Sequence, residues 1–145
     1  IENDEMCHGL DQSLHLEKHV ALVLDIHHHW IRDEEYIQAD DDRVKRVIDS
    51  WRGVRPSMHY SYSRDEHLAV AGLGDKTHTE MHNIKDLLAR GCKKVKLRSH
   101  SDLLPNAKVN DWALSFNEQF DIQVEAKAKN LASEQLYRQR ESNIV

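Results

Sequence analysis

At 145 residues, with 39% hydrophobic and 31% charged residues, the chain has the size and composition of one soluble globular domain, which excludes a disordered chain. Its apolar runs reach only strand length, short of the roughly 20 residues of a membrane-spanning helix, and no signal peptide is visible, so a cytoplasmic chain is the default. The formal charge of −5 argues against a broad basic nucleic-acid surface, although bound divalent cations would offset several negative charges locally.

Taken in order, the chain begins at Ile1-Glu2-Asn3-Asp4 without an initiator methionine and reads as part of a longer protein. Asp11 is a candidate N-cap for a helix carrying Leu10, Leu14, Leu16 and Val20. Val20 to Leu24 is a near-continuous apolar run, the pattern of a parallel strand covered on both faces. It delivers Asp25 and His27-His28-His29 at its carboxyl end, where α/β proteins place their chemistry. A loop from Trp30 to Asp42 follows, then a helix on Val44, Val47, Ile48 and Trp51 that stops at Gly53. Val54 to Tyr60 is the next strand, with Pro56 tolerated only near its start or at an edge.

Residues 64–90 read as helix in two pieces, broken at Gly72-Leu73-Gly74 and stopped at Gly91. Val95 to Leu97 is a strand or an ordered loop leading into Arg98-Ser99-His100-Ser101-Asp102. Asn110 opens a helix with Trp112, Leu114 and Phe116, and Ile122 and Val124 alternate on a strand that ends at Glu125. A last helix spans about 129–140, with Leu131, Leu136 and Tyr137 on one side. The alternation of strand and helix predicts an α/β fold with a parallel sheet of four strands, enough for an open sheet or for half of an eight-stranded barrel.

Strands ending near Glu2, Asp25, His59 and Glu125 would collect carboxylates and imidazoles at one sheet edge, with His28 at the mouth of the Asp25 strand. Such donors, with no thiolate, suit Mn²⁺, Zn²⁺, Fe²⁺ or Mg²⁺, and more than one ion could be held. Ions there would activate a water and align a phosphodiester, so phosphate-ester hydrolysis is the natural reaction class.

The bland readings stand beside this one. Asp25-x-x-His28 alone also fits a surface or helix-entry role. If the histidine triplet is extended, its side chains alternate in direction, so His27 or His29 is structural. His8, His15, His19, His67, His78 and His82 have no strand-end logic and read as solvated. Glu125 is a costly charge unless a cation or Lys127 compensates it. Cys7 and Cys92 lie far apart without CxxC spacing and read as reduced thiols.

These residues resemble the UV damage endonucleases, a family of metal-dependent DNA repair enzymes on a TIM barrel. The resemblance rests on Ile1-Glu2-Asn3-Asp4-Glu5, Leu22 to His29, His59-Tyr60-Ser61, the His100-Ser101-Asp102 step, and FDIQVEAKAK from Phe120 to Lys129, in that order. It implies the metal ligands Glu2, Asp25, His28, His59, His100 and Glu125, and two or three divalent ions, Mn²⁺ foremost, with Zn²⁺ or Mg²⁺ as alternatives. It implies that residues 1–145 form a single domain, the carboxyl-terminal half of the barrel with its last four strands. The partner it implies is damaged double-stranded DNA, nicked 5′ to a photoproduct; beside it, Lys127 or Lys129 reads as a phosphate contact or as a simple ion-pair partner of the neighbouring carboxylate.

Two departures from the family pattern stand out. Ser57 occupies a position where members often carry lysine, and residues 64–96 form a longer stretch than the family pattern leads one to expect. Other readings remain open: an apurinic endonuclease or sugar isomerase on the same type of barrel, or a catalytically silent half-barrel that needs a partner.

Overall fold

In the computed structural model, which describes residues 1–144, three short runs pair in parallel: β1 (Leu24–Asp25), β2 (Ser57–Tyr60) and β3 (Asp121–Val124). Their spatial order is β1-β2-β3, so each strand neighbours the next along the chain and helical segments make both crossovers. The register aligns Leu24 with Met58 and Ile122, and Asp25 with His59 and Gln123. Because side chains alternate along a strand, these two rows face opposite sides of the sheet. The first side is the core: Leu24, Met58 and Tyr60 are fully buried and pack with Leu22, Ile26, Ile31, Val44, Phe116 and Phe120. The second side holds the polar groups.

Where four strands are expected, the sheet has three and a remnant. Glu2 forms an isolated parallel bridge to Val23, and Val23 N–H donates to the Ile1 carbonyl at 2.7 Å. One residue further on, the Asn3 amide replaces backbone pairing: it donates to the Asp25 carbonyl at 2.9 Å and accepts from Asp25 N–H at 2.8 Å. The expected strand over Val20–Leu24 shortens for a similar reason. Leu22 N–H donates to Ser50 Oγ at 3.0 Å and its carbonyl accepts from Trp51 Nε1 at 2.7 Å, so side chains beyond the following helix take the ladder positions. At β2, Pro56 lies just outside the strand, its carbonyl accepting from Asp121 N–H at 2.9 Å.

The first helix starts earlier and is shorter than expected: α1 (Leu10–Ser13) is capped at Gly9, not Asp11, and runs into a 3₁₀ turn. A Cβ at Gly9 would lie 2.6 Å from Arg32 Nε, so the Arg32 side chain packs over the bare glycine and would have to shift for any other residue. The histidine triplet is not extended. It forms the start of α2 (Ile26–Asp33), because Asp25 accepts from His28 N–H at 2.8 Å as N-cap and Ile26 and Trp30 bury one side. Helix therefore replaces the first part of the loop expected from Trp30, ending where Glu34 takes a left-handed conformation at φ 60°.

α3 (Asp42–Asp49) is capped by Asp41. Next come α4 (Asp65–Leu68), two 3₁₀ turns and α5 (Ile84–Ala89), with the break at Gly72 and Gly74 and the stop at Gly91 where the sequence places them. Residues 95–97 are neither strand nor loop but lie in one helical turn, α6 (Lys94–Leu97), that buries Leu97. α7 (Ala107–Leu114) starts before Asn110 because Asn106 caps it; Asn110 is instead a buried anchor accepting from the Tyr60 hydroxyl at 2.7 Å. α8 (Asn130–Ile144) runs past the expected end.

Candidate metal centre

The polar side of the sheet follows from period two. Glu2 pairs with Val23, which lies two residues before Asp25; Asp25 pairs with His59 and His59 with Gln123; Glu125 follows Gln123 by two. Glu2, Asp25, His59, Gln123 and Glu125 therefore lie on the side opposite the core. His59 Nδ1 is 3.0 Å from Glu2 Oε1, 3.3 Å from Glu125 Oε1 and 4.0 Å from Asp25 Oδ2. One ligand atom from each of Glu2, Asp25, His59 and Glu125 lies within 4.8 Å of the others, a group that could hold a metal ion.

Electrostatics mark this group as incomplete with protein atoms alone. Asp25 has no exposed area, and its Oδ2 has no hydrogen-bond partner among the described residues. Burial pushes its carboxyl well above the usual carboxylate range, and Glu2 and Glu125 push the same way. His59 is raised to about 9, chiefly by Glu125, with Glu2 adding to it, and Glu125 is correspondingly lowered by His59. A proton on His59 offsets part of the carboxylate charge around it, while the Asp25 oxygen stays unmatched. An oxygen-rich set with one imidazole and one orphaned buried oxygen fits a hard or borderline divalent cation.

The remaining expected residues sit around this floor. His28 Nδ1 donates to the Asn3 carbonyl at 2.8 Å and lies 3.5 Å from both Glu2 and Asp25, which leaves Nε2 as its free coordinating atom, 3.3 Å from Glu5. His100 is half-buried, its pKa lowered by burial, and with Glu2, Glu5, His28, Arg98, Glu125, Lys127 and Lys129 it lines an open cleft of about 760 Å³. Asp25 and His59 form the floor beside it. Of the six expected residues, Glu2, Asp25, His59 and Glu125 come together, and His28 and His100 line the neighbouring cleft.

His27 and His29 both turn into the structure. Nε2 of His27 lies 3.1 Å from the Leu97 carbonyl, and burial lowers its pKa to about 3; His29 sits between Asp33 and Glu35. Of the histidines read as solvated, His8, His15 and His19 are exposed, whereas His67, His78 and His82 are half-buried. None of these lines the cleft. Ser57 lies two residues before His59 on the same side and brings no amine to the centre. Cys7 and Cys92 are free thiols.

Sequence reasoning missed Glu5, Gln123 and Arg98. Gln123, whose side-chain oxygen is 3.1 Å from His59 Nε2, could have been found from the period-two spacing to Glu125. Glu5 and Arg98 come together across 93 positions of sequence and carry no local signal.

A small parallel sheet that gathers carboxylates and imidazoles at the carboxyl ends of its strands defines the class: an α/β protein with a strand-end polar centre. A family model described as UV-endonuclease UvdE matches residues 1–144, and the chain belongs to that family of endonucleases. No curated protein and no solved structure matches the chain. No helix among the described residues is long and apolar enough to cross a membrane.

Proposed function

We propose that this chain is the carboxyl-terminal half of a TIM-barrel, metal-dependent endonuclease that nicks double-stranded DNA 5′ to UV photoproducts in cytoplasmic excision repair. The observation that carries the reading is the convergence of Glu2, Asp25, His59 and Glu125 from four adjacent chain segments, with the buried Asp25 Oδ2 lacking any partner, in a chain of the UV-endonuclease family.

In this reading Glu2, Asp25, His59 and Glu125 hold one divalent ion, Mn²⁺ foremost and Zn²⁺ or Mg²⁺ as alternatives, and His28 Nε2 and His100 serve a second or third. A divalent ion held there would polarise the phosphate as a Lewis acid and lower the pKa of a water beside it. The protein's own part is placement. Asn3 fixes the backbone of Asp25 and, through its carbonyl, the ring of His28, so neither donor must reorganise on binding. Gln123 orients the imidazole of His59 through Nε2. His59, whose raised pKa reflects Glu125 and Glu2, would have to give up its proton to act as a ligand. Lys127 and Lys129 at the wall contact phosphate.

The test is a nicking assay with the full-length protein on UV-irradiated, undamaged and abasic plasmid, with and without EDTA. We expect metal-dependent nicking of the irradiated plasmid alone, abolished by Glu125→Gln. Equal nicking of all three substrates points to an apurinic or general nuclease, and sugar isomerisation without nicking points to the other barrel chemistry; either overturns the repair reading. One observation favours a second possibility, a silent half-barrel that needs a partner: β3 lies at an open sheet edge, with Asp121 and Gln123 exposed and Ile122 and Val124 only half-buried. A metal-loaded monomer of this chain in light scattering would refute that possibility.

A further inference from the structure

The cleft joins two incompatible demands. Glu2 and Glu125 line it and Asp25 lies buried next to them, yet a phosphodiester lying in the cleft brings more negative charge, so a strand needs cations beside these carboxylates as well as among them. The wall provides three: Arg98, Lys127 and Lys129. Neither lysine has an ion-pair partner within 4.0 Å among the described residues, although Glu125 is close in sequence. Their loop is fixed to the one carrying His100. Lys127 N–H donates to the Ser101 carbonyl and Ala128 N–H to the Asp102 carbonyl, both at 3.0 Å, and Lys129 is held in the left-handed region at φ 50°.

Arg98 is held differently. Its Nε donates to Glu5 Oε1 at 2.7 Å, while the other Glu5 oxygen lies 3.3 Å from His28 Nε2. The Glu5 side chain is only 6% exposed and the Arg98 side chain 44%, so a nearly buried carboxylate grips an accessible guanidinium. Nη1 contacts Met6 Sδ at 2.7 Å, and Nη2 has no partner among the described residues. A solvated surface pair spends its charge in water and leaves both side chains mobile. Here one member is immobilised, and the fork keeps donors free at the cleft, the geometry that favours arginine for phosphate.

We propose that Arg98 is a phosphate-binding residue for the strand this cleft takes, and that Glu5 is its positioning residue. The inference rests on the reading of the cleft as a DNA site and goes beyond it by naming what holds the backbone next to the acidic floor.

The experiment uses the full-length protein and a fluorescein-labelled duplex carrying one thymine dimer. Binding is measured by anisotropy in EDTA between about 50 and 200 mM KCl, and nicking is measured with Mn²⁺. Arg98→Gln is expected to raise Kd and KM about tenfold, to lower the salt slope by about one and to change kcat less than threefold; Arg98→Lys recovers only part of the loss. Glu5→Gln has a smaller effect on Kd, and the double variant Glu5→Gln/Arg98→Gln binds no worse than Arg98→Gln alone, because Glu5 acts through Arg98. The double variant also leaves no carboxylate unpaired at the wall, which protects the fold.

A wild-type protein that binds and nicks, with Arg98→Gln unchanged in Kd and salt slope, overturns this inference while the functional reading stands. A drop in kcat at constant Kd overturns it too, since Arg98 would then serve the reacting phosphate instead of the strand. Failure of the wild type to bind or nick damaged DNA overturns the functional reading itself.

Discussion

Asp25→Asn in metal-stripped protein should raise stability and remove the stabilisation that metal provides. The carboxylate is fully buried, one oxygen is unpartnered, and Glu2 and Glu125 face it. Its folded-state pKa lies above the unfolded value, so the folded form holds the proton more tightly and ionisation works against folding as pH rises above about 3.9. Asparagine keeps the cap to His28 N–H, since it serves as N-cap about as well as aspartate, and its Nδ2 can donate to Glu2. Replacing a carboxyl whose ionisation the fold penalises should be worth about 1–3 kcal/mol at pH 7, or roughly 3–9 °C in Tm for a chain of this size. Mn²⁺ at about one hundred times its Kd should add about 2.7 kcal/mol to wild type, close to 8 °C, and almost nothing to the variant. Differential scanning fluorimetry with and without EDTA reads both. A metal-free Asp25→Asn that melts below wild type and still shifts fully with Mn²⁺ would refute the argument that this carboxylate waits for a cation.

His27, lowered to about 3 by burial, should make the fold acid-sensitive. The stability it contributes is complete above about pH 6.5 and is lost toward pH 3 at up to about 1.4 kcal/mol per unit, so urea melts of His27→Gln should show a flatter acid limb than wild type. His59 behaves in the opposite sense. Its raised pKa of about 9 contributes stability present below pH 6.5 and lost as pH rises through 9, and metal binding near pH 7.5 should release its proton. Calorimetry in buffers of different ionisation enthalpy counts that proton, and a buffer-independent heat would contradict it. Away from the centre, Asn110→Ala strips partners from the Tyr60 hydroxyl and the Leu104 carbonyl in the core, and should cost about 1–3 kcal/mol in a denaturant melt.

The strand-end logic made the centre legible. Apolar runs followed by Asp25, His59 and Glu125 place donors at a sheet's carboxyl edge whatever the details of the loops, because the strand period sets direction locally. Glycines at positions 72, 74 and 91 likewise marked breaks where the backbone takes positive φ. Other local signals were less decisive. The histidine triplet was ambiguous between strand end and helix entry, and the structure takes the helix entry, with Asp25 capping α2 through His28 N–H.

The amino-acid sequence by itself determined an α/β protein with parallel strands, the order of its elements and the residues that meet at the candidate centre, since these depend on spacing and side-chain chemistry read a few residues at a time. Only the tertiary structure decided that the sheet has three strands and a bridge, with Ser50, Trp51 and Asn3 supplying side-chain partners in place of backbone pairing. It alone brought Glu5 to Arg98 and left Asp25 Oδ2 unmatched. Those outcomes are set by contacts between segments tens of residues apart, and a buried hydrogen bond or an orphaned oxygen exists only once the chain has closed around it.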